Sequence, residues 1–277
     1  MKKNGDDMKQ AKFSSIAGMA LICQCVLNTN ALGADSREEL NSGQDFTKPL
    51  TRLDIRQKYQ ALAASRSSFI TTFRVDKPVV LDQNGWVLSL RADLPFVINN
   101  VRSFDNPESK YQIGSSDFLN QFIIIAPQGK KSWTYGFGSQ IIWPTAAADQ
   151  MGSGRYQIAP LVGAKMDLKA ISPGSFTYLL LRDHIDLGGQ SYRSKTNYLV
   201  IQPGLNIGLP NQWFATVAPE MRVDWENHNR CFIPFDITIG KMINKTTVLS
   251  IEYKTPILDK DYPLYNHEIE ARIGFFF

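Results

Sequence analysis

From residue 67 to the end of the chain, apolar and polar side chains alternate with a period of two, the period of a strand with two unlike faces. The pattern is cleanest over 86–98. Trp86, Leu88, Leu90, Ala92, Leu94, Phe96 and Ile98 share one face, while Ser89, Arg91 and Asp93 lie on the other. Over 133–143, Trp133, Tyr135, Phe137, Ile141 and Trp143 oppose Thr134, Gly136, Gly138 and Gln140. Over 213–225, Trp213, Ala215, Val217, Met221, Val223 and Trp225 oppose Thr216, Glu220, Arg222 and Asp224. The last stretch sets Tyr265, Ile269, Ala271, Ile273, Phe275 and Phe277 against Asn266, Glu268, Glu270, Arg272 and Gly274. Strands near 69–75, 153–167, 197–207, 230–242 and 246–255 follow less cleanly. Near 111–125 and 175–183 both faces are partly apolar, and the pattern gives no phase.

Strands of soluble proteins usually run about five or six residues, and these are longer, as membrane-crossing strands are. Tryptophans close the apolar faces. Ten residues from Trp133 to Trp143, at about 3.3 Å each and tilted by roughly 40°, span about 25 Å, the height of the apolar band of an outer-membrane barrel. Trp86, Trp133, Trp143, Trp213 and Trp225 are therefore predicted to form the aromatic girdles. A soluble sandwich would have to explain why one face is apolar from end to end while the other carries opposite charges. The uncharged stretch Thr196–Pro219 is no membrane helix, because it contains Pro203, Gly204, Gly208 and Pro210. The fold predicted is all-β: a transmembrane, antiparallel, up-and-down β-barrel.

Connections alternate in length. Tight ones fall at Ile243–Lys245, Leu209–Asn211, Ala126–Lys131 and Lys169–Gly174, and longer polar ones at Leu258–Asn266, Asp183–Ser194, Thr145–Gly154 and Asn99–Lys110. Outer-membrane barrels place short turns on the periplasmic side and long loops outside. Glu226-Asn227 alone breaks the alternation by being short. Eleven strands follow from residue 67, and an even number is expected, so a twelfth is predicted within 49–62. There it competes with an amphipathic helix over Thr51–Ala64, whose apolar positions would be Leu53, Tyr59, Leu62 and Ala63. Ten strands, with the first segment inside the lumen, is the fallback. The expected organisation is a leader over 1–34, a polar segment over 35–66 that is a plug or a first strand, and a barrel over 67–277.

Composition adds bounds. The chain has 277 residues, 43% hydrophobic and 20% charged, which excludes a disordered chain, a collagen and a disulfide scaffold. The net charge of +4 comes without a basic run or tail, so nucleic acid is not an expected partner. Residues 1–34 read as a secretory signal peptide, and a start at Met8 suits it better than Met1. Lys9 and Lys12 precede an uncharged run with Ile16–Val26 as its apolar core, and Ala31-Leu-Gly-Ala34 gives the small residues before cleavage. The alternative, an anchor helix, has an apolar core short for a bilayer. Ile22 and Gln24 before the leader cysteines argue against lipidation. Removing the leader leaves Cys231 alone, so neither an internal disulfide nor a cysteine metal cluster is expected.

The chain ends with Phe277, preceded at every second position by Phe275 and Ile273. This looks like the terminal strand signal read by the barrel assembly machinery. Other stretches then resemble one family. Gly114-Ser-Ser-Asp117 runs on through Phe118 and Phe122 to Pro127, and Ile142-Trp-Pro-Thr145 precedes Gly152-Ser-Gly-Arg-Tyr-Gln-Ile-Ala-Pro160. Ile201-Gln-Pro203, Val223-Asp-Trp225, Ile233-Pro234 and Gly240-Lys241 continue the match. Over 85–277 the chain is similar to the outer-membrane β-barrel transporter family named for a MetA pathway of phenol degradation. The resemblance implies an outer-membrane barrel that passes small solutes, hydrophobic or aromatic ones among them. It transfers no functional residue. The ending Phe-Phe-Phe departs from relatives that end in Phe-Pro.

A barrel turns its charged faces inward. Arg91, Asp93, Lys165, Asp167, Glu220, Arg222, Asp224, Glu252, Glu268, Glu270 and Arg272 are thus predicted to line the lumen, with Arg230, Asp236 and Lys254 also inside. They either set the selectivity of a solute path or brace the lumen as a salt-bridge network. The expected partners are outer-membrane lipid, the assembly machinery and a small-molecule solute. No catalytic residue, cofactor or metal is expected. His184, between Asp183 and Asp186, is the sole candidate for catalysis or metal binding, and it is predicted to sit with His228 and His267 near the extracellular rim, in a solvated loop. Gly152-Ser-Gly154 and Gly188-Gly189 lack the helix and lysine of a phosphate loop. A channel is the leading function. A structural or adhesive barrel with a closed lumen, and a barrel enzyme acting on lipid or peptide, are the alternatives.

Overall fold

A computed structural model describes residues 41–104, 106–128, 133–258 and 264–277; the predicted leader lies outside the described residues. Fourteen strand segments form one antiparallel sheet, which closes on itself where β1 (Arg52–Ala61) pairs with β14 (His267–Phe276). Between them lie β2 (Ser67–Val80), β3 (Val87–Asn99), β4 (Gln112–Ser115), β5 (Phe118–Ile125), β6 (Trp133–Trp143) and β7 (Arg155–Asp167). Then follow β8 (Phe176–Gly189), β9 (Tyr198–Gly208), β10 (Trp213–Val217), β11 (Met221–Asp224), β12 (Arg230–Asn244) and β13 (Thr247–Leu258). Two crossings are interrupted. β4 and β5 both pair with β3, and β10 and β11 both lie between β9 and β12. Counted as one crossing each, they leave a closed barrel of twelve strands.

The ten-strand alternative is therefore excluded, and so is the helix over 51–64. Period two wins in β1 because Arg52, Asp54, Arg56 and Lys58 share one side and find partners on β2 and β14. The interruption between β10 and β11 contains Pro219, which has no N–H to give the ladder. The one at Ser116-Asp117 shifts parity. Inward positions are even in β4, where Gln112 and Gly114 face Asn99 and Val97, and odd in β5, where Leu119, Gln121 and Ile123 face the lumen. Such a bulge explains why 111–125 showed no single phase.

The outer surface is apolar. Phe69, Phe73, Phe96, Phe137, Val162, Ile239 and Ile251 are exposed on it, as suits contact with lipid. Trp133, Trp213 and Trp225 are exposed near strand ends. Trp143 is half-buried and donates its indole N–H to Asn120 Oδ1 at 3.0 Å, and Trp86 stands just before β3. The tightest turns, at 209–212 and 245–246, share one end of the barrel, which by the rule for this class is periplasmic; loops 100–111, 144–154 and 190–197 share the other. β8 extends to Gly189, so the loop predicted from Asp183 begins later. Arg155 of β7 holds Asp186 through two bonds of 2.7 and 2.6 Å and keeps the two strands together.

Candidate functional site

The inner wall alternates charge along each strand. β1 turns Arg52, Asp54, Arg56 and Lys58 inward, β2 Arg74 and Asp76, β3 Arg91 and Asp93, and β14 Glu268, Glu270 and Arg272. Neighbouring strands set opposite signs together. Arg74 grips Asp93 with two bonds of 2.8 and 2.7 Å. Asp76 is shared by Arg52 at 2.6 Å and Arg91 at 2.9 Å. Arg56 meets Glu270 at 2.7 Å, Lys58 meets Glu268 at 3.3 Å, and Arg272 meets Asp54 at 3.1 Å. Across the lumen, Arg182 binds Glu220 at 2.6 Å, and Lys254 lies among Asp236, Glu252 and Glu268 at 3.3–3.6 Å. Pairs this buried gain little net stability, but removing one partner is costly.

These groups surround a cavity of about 710 Å³. Of the residues predicted for the lumen, Arg91, Asp93, Glu220, Arg222, Glu252, Glu268, Glu270 and Arg272 line it. The other three do not. Lys165 and Asp167 pair with each other below the cavity, where Lys165 also meets Asp45 at 3.0 Å. Asp224 accepts the backbone N–H groups of Glu226 and Asn227 and shapes the β11–β12 turn. Arg52, Arg56, Lys58, Arg74 and Arg182 also line the cavity and were missed. For Arg52, Arg56 and Lys58 the signal was the charge at every second position in 52–58, obscured by the helix alternative; Arg74 lies in the less clean strand near 69–75. Arg182 lies in a stretch whose phase was hidden.

Residues 41–50 turn into the periplasmic end of the lumen. Phe46 packs against the buried cluster of Ile123, Ile125, Leu161 and Leu180, with Tyr178 edge-on at 6.0 Å. Its ring rests on two glycines that face each other across β6 and β7, Gly136 and Gly163. A Cβ on Gly163 would stand 2.8 Å from the Phe46 ring, and one on Gly136 3.2 Å from it. Asp45 shapes the segment by accepting from Thr47 N and Oγ1 at 2.9 and 2.6 Å. Below it a second cavity, of about 180 Å³, reaches Asp167, Gly208 and Trp213.

At the extracellular end, loop 144–154 folds over the β4–β5 interruption. Asp117 is the anchor: it accepts Ala146 N at 3.2 Å, Ser153 N at 2.6 Å and Ser153 Oγ at 2.7 Å. Thr145 Oγ1 accepts Phe118 N at 2.9 Å, and Asn99 donates to the Gln150 carbonyl at 2.8 Å. Met151 is buried against Gly114. The motif residues Gly114, Asp117, Thr145, Gly152 and Ser153, spread over forty positions, thus meet in one place.

His184 is not in a solvated loop. It faces inward from β8, 5% exposed, and stacks on Tyr198 with ring centroids 4.2 Å apart; Arg222 covers the same tyrosine at 3.4 Å. Its expected carboxylate partners are engaged elsewhere. Asp183 accepts the Trp225 indole N–H at 3.1 Å, and Asp186 is held by Arg155. His228 lies in the β11–β12 turn, and His267 opens β14 beside Tyr59. Among the described residues no cluster of His, Cys, Asp and Glu could hold a metal ion.

No family model matches the chain, and no curated protein is significantly similar to it. Solved structures share its fold. The COG4313 outer membrane channel from Pseudomonas putida F1 superposes with a TM-score of 0.68 at 11% identity, covering 89% of this chain and 100% of that one. The NanC porin gives 0.53 at 15% identity, covering 81% and 98%. An active-site mutant of outer membrane phospholipase A from Escherichia coli gives 0.51 at 11% identity, covering 86% and 96%.

Proposed function

We propose that this twelve-stranded barrel is an outer-membrane channel for small solutes, closed at its periplasmic end by residues 41–50. The observation that carries the reading is the charged cavity inside the wall, bounded below by Phe46 in its glycine socket. Fold likeness to the COG4313 channel and the NanC porin supports a solute path. The phospholipase shares the fold as well, but here His184 stacks on Tyr198, and Asp183 and Asp186 are engaged by Trp225 and Arg155. Membership of the transporter family named for the MetA pathway rests on the motif residues that gather round Asp117. The wall favours polar solutes, since an apolar molecule would strip water from ionised groups without replacing their hydrogen bonds. Hydrophobic or aromatic solutes remain the second reading, favoured by Tyr178, Tyr198, Phe232 and Tyr265 on one side of the cavity.

Single-channel recording in a planar bilayer tests the reading. Conductance that is low in the wild type and rises once 41–50 is displaced is expected. A barrel that passes no ions in either state refutes the channel and leaves a structural role.

A further inference from the structure

Along one part of the cavity wall the charges do not balance by pairs. Asp54 lies 3.1 Å from Arg272 and 3.7 Å from Arg52, and Asp76 lies 2.6 Å from Arg52 and 2.9 Å from Arg91. Three guanidinium groups thus share two carboxylates. Arg52 and Arg272 are nearly fully buried, and Arg272 Nε has no hydrogen-bond acceptor in good geometry. What completes their shell is backbone from the segment inside the lumen. Arg52 Nη1 donates to the Gly43 carbonyl at 2.7 Å, and Arg272 Nη1 to the Ser42 carbonyl at 3.4 Å. Both side chains press so closely on Gly43 that a Cβ there would meet their terminal nitrogens, and its φ of +73° favours glycine.

Two neutral carbonyls are weak acceptors for two buried cations. A carboxylate accepts charge-assisted, bidentate bonds from guanidinium, about twice as strong as neutral ones. We propose that Arg52 and Arg272 form a binding site for the carboxylate of a small anionic solute, filled in the closed barrel by the carbonyls of Ser42 and Gly43. Solute and segment compete for the same donors, so arrival of the anion at the periplasmic end unseats the segment. The inference rests on the reading of 41–50 as the closure, and adds what releases it.

The test follows the segment itself, without requiring conduction. Gln44→Cys, with Cys23, Cys25 and Cys231 replaced by Ser, carries a nitroxide in the full-length protein in lipid vesicles. Electron paramagnetic resonance then reports seated and mobile populations. Gly43→Ala should expel the segment without any ligand and marks the mobile limit. Benzoate at ten times its dissociation constant should raise the mobile-to-seated ratio about tenfold. Neutral benzamide, and sodium chloride at matched ionic strength, should leave it unchanged. Arg272→Lys keeps the charge but loses the fork, and should cut the response to less than about twofold. A mobile population that benzamide or chloride raises equally, or that benzoate does not raise, overturns the proposal. An immobile Gly43→Ala label shows that the segment does not seat there, and both readings then fall. A label that responds in a barrel that never conducts supports the site and refutes the channel.

Discussion

Phe46→Ala removes the ring that fits between Ile123, Leu161 and Leu180. Truncating a fully buried phenylalanine costs about 3–5 kcal/mol, and this ring is only partly buried, so the seated segment should lose roughly 2 kcal/mol. The barrel wall keeps its strand pairing, so the loss falls on seating and not on the fold. A change of about 2 kcal/mol shifts the seated-to-displaced ratio about 30-fold. Gly163→Ala reaches the same end from the other side, because its Cβ would stand 2.8 Å from both the Phe46 ring and Leu180 Cδ1. Single-channel recording should show the open fraction rising by about that factor in Phe46→Ala and rising also in Gly163→Ala. Open fractions equal to wild type in both variants would show that Phe46 holds nothing shut.

Asp76→Asn leaves Arg52 and Arg91 with one weakened acceptor; about 3 kcal/mol of stability should go, read as a lower urea midpoint in lipid vesicles, and an unchanged midpoint would contradict the bracing role. Ile251→Arg places a charge on the lipid face of β13, at a side chain 62% exposed there. It should cost about 2–4 kcal/mol in the same assay, whereas a neutral result would move that face out of the membrane. Asp117→Ala releases loop 144–154 and should expose it to protease added outside cells, with the barrel intact; a loop that stays protected would deny Asp117 the anchor role. In the β2–β3 turn, the Trp86 N–H above all holds the Asp82 carboxyl below its ordinary range. A depressed folded value means that its support of the turn is complete at neutral pH and is lost as pH falls through that value. A carboxyl carbon-13 titration with an ordinary or raised midpoint would contradict the bond.

Strands such as β3, β6 and β14 were legible because one face meets lipid and the other a polar lumen along their whole length. The stretches without phase share a physical cause. In β5 and β8, Ile123, Ile125 and Leu180 point inward yet are apolar, since they wrap Phe46. A lumen wall packed against a segment of its own chain looks, locally, like a core. Over 112–125 the parity shift at Ser116-Asp117 blurred the rest. His184 was misplaced because Asp183 and Asp186 lent it a solvated look, whereas its true neighbours, Arg182, Tyr198 and Arg222, lie on three strands. The carbonyls of Ser42 and Gly43 could not be read as ligands at all, because the backbone of every residue carries the same groups.

The seam between β1 and β14 has a consequence for how the barrel is made. Its ten residue pairs run from Arg52 with Phe276 to Ala61 with His267, and the Gln60–Glu268 bond joins positions 208 apart. Nothing can join there until β14 has been synthesised, so closure of this seam waits on it. Until then each edge is open to any other strand in the membrane. Glu268, Glu270 and Arg272 meeting Lys58, Arg56 and Asp54 act as a lock with a single key. A strand of another protein, without Asp54, Arg56 and Lys58 in this order, would leave those charges unmatched.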